Sequence, residues 1–114
     1  MVLREIVETL RLEILNEGEH MDGAVDGGYV GDLLSDVIAS GKQFDLWITV
    51  QAHENIIAVA TLKDLAGIIL AKNTKPLEET LRSAVDEHVT LLRSSLTSYQ
   101  IVERLAALGI SGDR

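Results

Sequence analysis

Three apolar runs alternate with three helix-like segments between residue 45 and the end of the chain. The runs cover residues 46–50, 68–70 and 89–92 and are rich in aliphatic and β-branched side chains, as β-strands are. Strands joined through helices pair in parallel, with right-handed crossovers that place the helices against the sheet. The alternation therefore predicts an α/β fold, a single three-layer domain with a mostly parallel sheet flanked by helices.

The N-terminal third has a less regular pattern. Apolar residues at helical spacing predict a short helix over 3–10, and a brief strand follows over 12–15. Residues 23–30 contain three glycines, which predicts a strand with a bulge or a close backbone approach. Asp32 is suited to cap a helix that ends at Gly41. The apolar positions of that helix are Leu33, Leu34, Val37 and Ile38.

The later helices have clearer limits. Residues 54–66 are apolar on more than one face, which predicts a largely buried helix. Thr97-Ser-Tyr-Gln100 is a capping box for the last helix, and Gly109 is its stop signal. We expect one domain over 1–114 with a frayed tail at 111–114. The predicted buried positions are Leu77, Leu81, Ala84 and Val85 in the helix after Pro76, and Ile101, Val102, Leu105 and Leu108 in the last helix.

Composition excludes several classes of protein. The chain has 114 residues, 46% of them hydrophobic, so one core can form. The net charge of −8 argues against nucleic acid and anionic membranes as partners, because both require clustered lysine and arginine. The absence of cysteine excludes disulfides and thiol chemistry and agrees with a cytoplasmic location. No apolar run is long enough to span a membrane, and the acidic N-terminus does not resemble a signal peptide.

Sequence signatures of common enzymes are missing. The chain contains no G-x-x-x-x-G-K-[ST] loop, no G-x-G-x-x-G fingerprint and no G-x-S-x-G elbow. A nucleophile and a base could still meet in space if Ser35 or Thr49 approached His53. Nothing in the spacing requires that arrangement, so we predict no catalysis and no cofactor.

Polar residues concentrate where two predicted strands pass into helices. Open α/β sheets bind ligands beyond the carboxyl ends of their strands, and a helix N-terminus there offers free amide groups. We therefore predict one polar cluster for a small molecule or nucleotide. Its candidate residues are Gly28, Tyr29, Asp32, Ser35, Asp36, Thr49, Gln51, His53 and Asn55.

Two structural alternatives to this cluster stay open. His53 or Asn55 could simply cap the following helix, and the glycines could simply turn the chain. Asp32 and Asp36 could join His53 in a metal site, since residues four apart share a helix face. We favour no metal, because the sequence has no compact ligand motif.

Trp47 is the only tryptophan and lies inside the most clearly defined strand. A tryptophan in such a position belongs either to the core or to a protein contact, where tryptophan and tyrosine are enriched. Together with the glycine-rich region, it suggests contact surface for a homodimer.

Two segments resemble the DRTGG domain family, Gly28-Tyr-Val-Gly-Asp-Leu-Leu-Ser-Asp-Val37 and Trp47-Ile-Thr-Val-Gln-Ala-His-Glu-Asn-Ile-Ile-Ala-Val-Ala60. The resemblance runs from about residue 3 to Ile110. It is strongest to short stand-alone members, which are similar to the N-terminal regulatory region of HPr kinase/phosphorylase. The chain lacks the Asp-Arg-Thr-Gly-Gly string itself, and Asp22-Gly-Ala-Val-Asp-Gly-Gly28 is the nearest stretch.

The resemblance implies an α/β regulatory domain of a family often joined to CBS or phosphotransacetylase domains. It does not imply kinase activity, because that chemistry belongs to a separate P-loop domain that these residues lack. Some stand-alone members are encoded beside iron-hydrogenase components. Our first hypothesis is a homodimeric, non-catalytic regulatory or ligand-sensing domain. The alternative is an assembly or interaction subunit of a redox enzyme complex, with a protein partner and no small-molecule ligand.

Overall fold

The computed structural model describes residues 1–113. From residue 45 onward, strands and helices alternate in the predicted order. Arg114, the last residue of the predicted frayed tail, lies outside the described residues. No helix in the described part is long and apolar enough to cross a membrane. The elements are α1 (Leu3–Leu10), β1 (Glu13–Asn16), β2 (Gly27–Val30), α2 (Leu34–Ser40), β3 (Asp45–Thr49), α3 (Asn55–Lys63), β4 (Gly67–Leu70), α4 (Glu78–Asp86), β5 (Leu91–Arg93) and α5 (Ser98–Ala107).

The strands form one sheet in the order β1-β5-β4-β3-β2. Strands β2 to β5 run parallel, and β1 is antiparallel to β5 at one edge. The mostly parallel α/β sheet predicted from the alternation is therefore confirmed. The fully apolar run in β4 lies in the centre of the sheet, where both faces of a parallel strand are covered.

Each face of the sheet has its own aliphatic core. Along β3, Leu46 and Ile48 pack with α1 and α5 on one face, while Trp47 packs with α3 on the other. Buried residues of α2 and α4 complete the second core. The period-two alternation of a strand thus sends successive side chains into opposite layers, which gives the predicted three-layer arrangement.

The loops that follow the parallel strands do not all lead to the same face of the sheet. The loops after β2, β3 and β4 all lead to helices on the second face, whereas the loop after β5 leads to α5 on the first. In the described sheet, adjacent outgoing loops therefore diverge only between β4 and β5. A crevice opens where neighbouring connections leave a sheet in opposite directions.

The prediction that Asp32 caps α2 is wrong. The residue before the helix is Leu33, which is 68% exposed, and Asp32 does not cap it. Ile38 is also exposed, and Val37 is the fully buried side chain of this helix. The physical reason is that the Asp32 carboxylate is hydrogen-bonded to Thr49 and Val50 at the end of β3. The capping position of α2 is therefore Leu33, one residue after the predicted one.

The predicted buried stripe of α4 is only partly correct. Ala84 is buried, but Leu77 and Val85 are exposed, the latter at 58%. Thr80 is buried instead, and its hydroxyl donates a hydrogen bond to the carbonyl of Ala52 at 2.6 Å. A threonine is tolerated there because its only polar side-chain atom is satisfied.

The N-terminal strands also differ from expectation. The predicted strand over 23–30 shortens to β2, whose pairing with β3 is regular, and Ala24 makes only an isolated bridge to Val2. The register irregularity lies in β1, between Ile14 and Asn16. In the last helix the predicted capping box is present and Leu105 is buried, although Val102 is exposed.

Candidate functional site

Asp32 joins the loop after β2 to the end of β3. Its carboxylate accepts hydrogen bonds from the hydroxyl of Thr49 at 2.7 Å and from the amide of Val50 at 2.9 Å. The side-chain amide of Gln51 donates to the carbonyl of Asp32 at 2.9 Å, and its backbone amide donates to the Thr49 hydroxyl at 3.2 Å. Three of the candidate residues thus form one hydrogen-bonded group, which we call the Asp32 cluster (Asp32, Thr49 and Gln51).

Trp47 on β3 is hydrogen-bonded to the loop after β2. Its indole nitrogen donates to the carbonyl of Gly31 at 2.8 Å, and its side chain is 0% exposed. It therefore belongs to the core and offers no surface to a partner, which corrects the expectation that it contributes to a dimer contact. The size of the indole and its satisfied N–H explain why it lies inside.

Tyr29 and Asp36 form a second pair. The phenol of Tyr29, on β2, donates a hydrogen bond to the carboxylate of Asp36 on α2. This bond raises the pKa of Tyr29 above its ordinary value, with partial burial and the negative charge of Asp36 adding to the effect. The pair links α2 to the edge strand β2, and no described hydrogen bond joins Asp36 to the Asp32 cluster.

His53 and Asn55 meet at the start of α3. The imidazole Nδ1 of His53 accepts a hydrogen bond from the backbone amide of Asn55 at 3.1 Å. His53 thus accepts one of the free amides at the start of α3, but the capping position itself is Glu54, whose side chain makes no capping hydrogen bond. The Asn55 side chain is exposed and borders an open groove of about 480 Å³, together with Glu54, Ser83 and Glu87.

The remaining candidates lie around these pairs. Ser35 is exposed in the first turn of α2, and no described hydrogen bond joins it to His53. Gly28 is exposed on β2 and lines a small groove of about 110 Å³ that also contacts Val30 and Val102. The structure therefore joins seven of the nine candidates in two pairs and one triplet, while Ser35 and Gly28 stand apart. Asp32, Asp36 and His53, the alternative metal set that the sequence left open, do not form one group of ligands among the described residues.

A different set of residues is able to present metal ligands. Ligand atoms of Glu19, His20 and Asp64 lie within 4.8 Å of one another. His20 Nε2 lies 2.8 Å from a carboxylate oxygen of Asp64, and the His20 ring meets the edge of Phe44 with centroids 5.7 Å apart. A hydrogen bond from Gln43 and the contact with His20 lower the pKa of Asp64. His20, Gln43 and Asp64 are thus joined by hydrogen bonds, and the Glu19 carboxylate lies 3.7 Å from His20 Nε2.

Sequence reasoning missed a second polar site at the carboxyl edge. A pocket of about 340 Å³ lies where the loops after β4 and β5 diverge. Its polar lining consists of Arg11, Glu13, Asn73, Arg93, Ser94, Ser95 and Arg104, and we call it the basic pocket. The polar Arg93-Ser-Ser95 directly after a predicted strand was the available signal, equivalent to the Thr49 and Gln51 signal after β3.

The fold resembles a known regulatory region. No protein-family model matches the sequence, and no curated relative matches it. A crystal structure of the CBS and DRTGG domains of the regulatory region of Clostridium perfringens pyrophosphatase, complexed with the activator diadenosine tetraphosphate, matches with a TM-score of 0.69 at 20% identity. The match covers 98% of this chain and 48% of that one, so this chain spans about half its length. The likeness supports a DRTGG-like fold.

Proposed function

We propose that this chain is a regulatory, ligand-sensing domain of the DRTGG type that catalyses no reaction. Its fold is shared with a regulatory region whose crystal structure contains a nucleotide activator. The observation that carries the proposal is the Asp32 cluster, which connects the exposed loop after the edge strand β2 to the buried Thr49 at the end of β3. The ligand would contact the exposed groups beside that cluster, among them Ser35, His53 and Asn55.

A sensing domain needs a site whose occupancy changes the rest of the molecule. Asp32 and Gly31 are adjacent, and Gly31 accepts the hydrogen bond of the fully buried Trp47. A ligand that displaced the Asp32 loop would therefore strain a contact in the second core. This direct connection favours a regulatory role over a purely structural one.

A thermal-shift panel of nucleotides and acyl phosphates tests the proposal. A ligand that binds only the folded state raises Tm by mass action. Asn55→Ala should reduce the shift, because Asn55 is the first residue of α3 and its side chain is exposed. Ser98→Ala, at the first position of α5, is the matched control and should leave the shift unchanged.

The outcome also separates the two hypotheses drawn from the sequence. If no compound in the panel raises Tm, the ligand-sensing proposal is wrong, and an assembly subunit with a protein partner becomes the better description. If a compound is turned over and His53→Ala abolishes turnover, the proposal of no catalysis is wrong.

The homodimer is a separate part of the proposal. Strand β2 is an edge of the sheet, and Val30 on it is 47% exposed. A Cβ atom at Gly28 would approach the Leu46 carbonyl oxygen at 3.5 Å, an ordinary contact. The absence of a side chain at Gly28 is therefore not required within one protomer, which favours close approach by the backbone of a second copy.

A further inference from the structure

The basic pocket gathers positive charge in an acidic protein. Three of the six arginines of the chain line it, whereas the net charge of the whole chain is −8. Arg11 and Arg104 are exposed and have no carboxylate partner among the described residues. The one carboxylate in the lining is Glu13, which pairs with Arg93 at 2.9 Å. The pocket therefore keeps a net positive charge.

The three arginines come from separate elements, so local sequence does not explain why they meet. Arg11 follows α1, Arg93 ends β5 and Arg104 lies in the last turn of α5. The carbonyl groups at the end of α1 carry partial negative charge, which Arg11 partly offsets at that position. Arginine provides several donors in a planar fork, which suits bidentate contact with phosphate.

The floor of the pocket is held by hydrogen bonds between the loops after β4 and β5. The amide of Lys72 donates to the carbonyl of Leu96 and that of Asn73 donates to the carbonyl of Ser94, both at 2.8 Å. The Ser94 hydroxyl accepts the Leu96 amide at 3.1 Å. Two neutral donors, the Asn73 amide group and the Ser95 hydroxyl, have no partner in the described part of the chain and border the pocket.

The position of the pocket supports the same conclusion. The loops after β4 and β5 leave toward opposite faces, which is where open α/β sheets bind ligands. The loops that carry the Asp32 cluster leave toward the same face and form no such crevice. The volume of about 340 Å³ is at the small end of the range for ligand sites, sufficient for a phosphate or diphosphate group.

We infer that the basic pocket is an anion site that binds the phosphate portion of a small molecule. Arg11 and Arg104 would contact the phosphate oxygens, with Asn73 and Ser95 as neutral donors. Arg93 is oriented by Glu13, which offsets most of its charge, so the net positive charge of the pocket comes from Arg11 and Arg104. The site lies apart from the Asp32 cluster and goes beyond the function proposed above.

Titration of the full chain with pyrophosphate, followed by amide NMR spectra at low salt, tests this inference. The largest shifts should fall on Asn73, Ser94 and Ser95. Arg11→Gln and Arg104→Gln should each weaken binding by roughly tenfold, because each removes a charged hydrogen-bond donor. Glu13→Gln should tighten binding, since it removes the only negative charge in the lining.

Arg82→Gln is the matched control. Arg82 is an exposed arginine on α4, on the opposite face of the sheet from α5, and its loss should leave binding unchanged within about twofold. The spectra also report whether each variant is folded. Binding that Arg82→Gln weakens as much as Arg104→Gln does would be general surface attraction, and the inference would be wrong.

Absence of binding at about 10 mM pyrophosphate, a concentration that detects even weak complexes, would also overturn it. That result would leave the proposed function standing, because Asn55→Ala tests that function at a different edge position.

Discussion

The carboxylate of Asp32 accepts a hydrogen bond from the hydroxyl of Thr49 at 2.7 Å, and Thr49 is almost fully buried. The two residues come from the exits of neighbouring parallel strands. A carboxylate at this position satisfies the buried hydroxyl and the amide of Val50 together. The contact therefore fixes the spacing between two loops at the edge where a ligand would be sensed.

Thr49→Val should destabilise the fold. Valine matches threonine in shape but donates no hydrogen bond. The Asp32 carboxylate then keeps only the hydrogen bond from the Val50 amide. The expected loss in the free energy of unfolding is about 1–3 kcal/mol, the range for a charged group that loses a hydrogen bond. Urea unfolding followed by Trp47 fluorescence measures it. Thr61→Val, at an exposed position of α3, should change stability by less than about 0.5 kcal/mol.

The glycine for which a side chain would clash most severely lies outside the glycine-rich segment 23–30. A Cβ atom at Gly18 would lie 2.4 Å from the carbonyl oxygen of His88 and from the amide nitrogen of Thr90. At Gly28 the nearest atom would be 3.5 Å away. The close backbone approach expected near residues 23–30 is thus found at Gly18, which packs against the segment before β5.

Gly18→Ala should therefore destabilise the protein strongly, by roughly 1–3 kcal/mol or more, because backbone atoms must move to admit the methyl group. Gly28→Ala should leave the stability of the protomer within about 0.5 kcal/mol of wild type. Parallel thermal and urea unfolding curves make the comparison. Equal effects of the two substitutions would contradict this steric assignment.

Local signals explain which parts of the fold were predictable. The capping box at Thr97 and Gln100 and the apolar run of β4 are encoded by neighbouring residues, and both are present. The role of Asp32 depends on β3, a partner that becomes adjacent only after folding, so its sequence context suggested a helix cap instead. The basic pocket brings together Arg11 and Arg104, which are far apart in the sequence, so their proximity could not be predicted from residue spacing.

The Asp64 carboxylate should contribute to stability in a pH-dependent way. Hydrogen bonds from Gln43 and His20 lower its pKa in the folded state. A carboxyl whose pKa is lowered by folding stabilises the native state above the unfolded-state pKa of about 3.9, and this contribution is lost as pH falls through the folded-state value. Asp64→Asn should thus be less stable than wild type near neutrality, with the difference disappearing in strong acid.

The Asp64→Asn comparison isolates charge from backbone effects, since Asp64 has a φ of 51° and asparagine tolerates that conformation. Urea midpoints measured from neutral to acidic pH give the difference curve. Glu103→Gln, in an exposed part of α5 with no described ion pair, is the control for removing a surface carboxylate and should change stability near neutrality by less than about 0.5 kcal/mol. A pH-independent difference for Asp64→Asn would contradict the proposed electrostatic origin.

Tyr29 should ionise above the ordinary tyrosine pKa, because its phenol donates to the Asp36 carboxylate. Absorbance titration of a Tyr99→Phe variant isolates Tyr29, since these are the only two tyrosines and Tyr99 is 86% exposed. Adding Asp36→Asn should bring the pKa back toward about 10. A raised folded-state pKa stabilises the protein below about pH 10 and ceases to do so as pH rises further, so Asp36→Asn should also flatten the alkaline stability curve. If the pKa of Tyr29 is the same with and without Asp36→Asn, Asp36 is not the cause of the raised pKa.

Association through β2 should depend on Val30. A lysine on an exposed edge strand opposes pairing with another strand, because its charge must stay in water. Val30→Lys should shift a wild-type homodimer to monomer in sedimentation equilibrium. Leu62→Lys, which changes an apolar side chain on α3 that is more exposed than Val30, should leave the association constant unchanged. A wild-type chain that remains monomeric at about 0.5 mM, where even weak dimers form, would contradict the homodimer, and dissociation by Leu62→Lys alone would place the contact on α3.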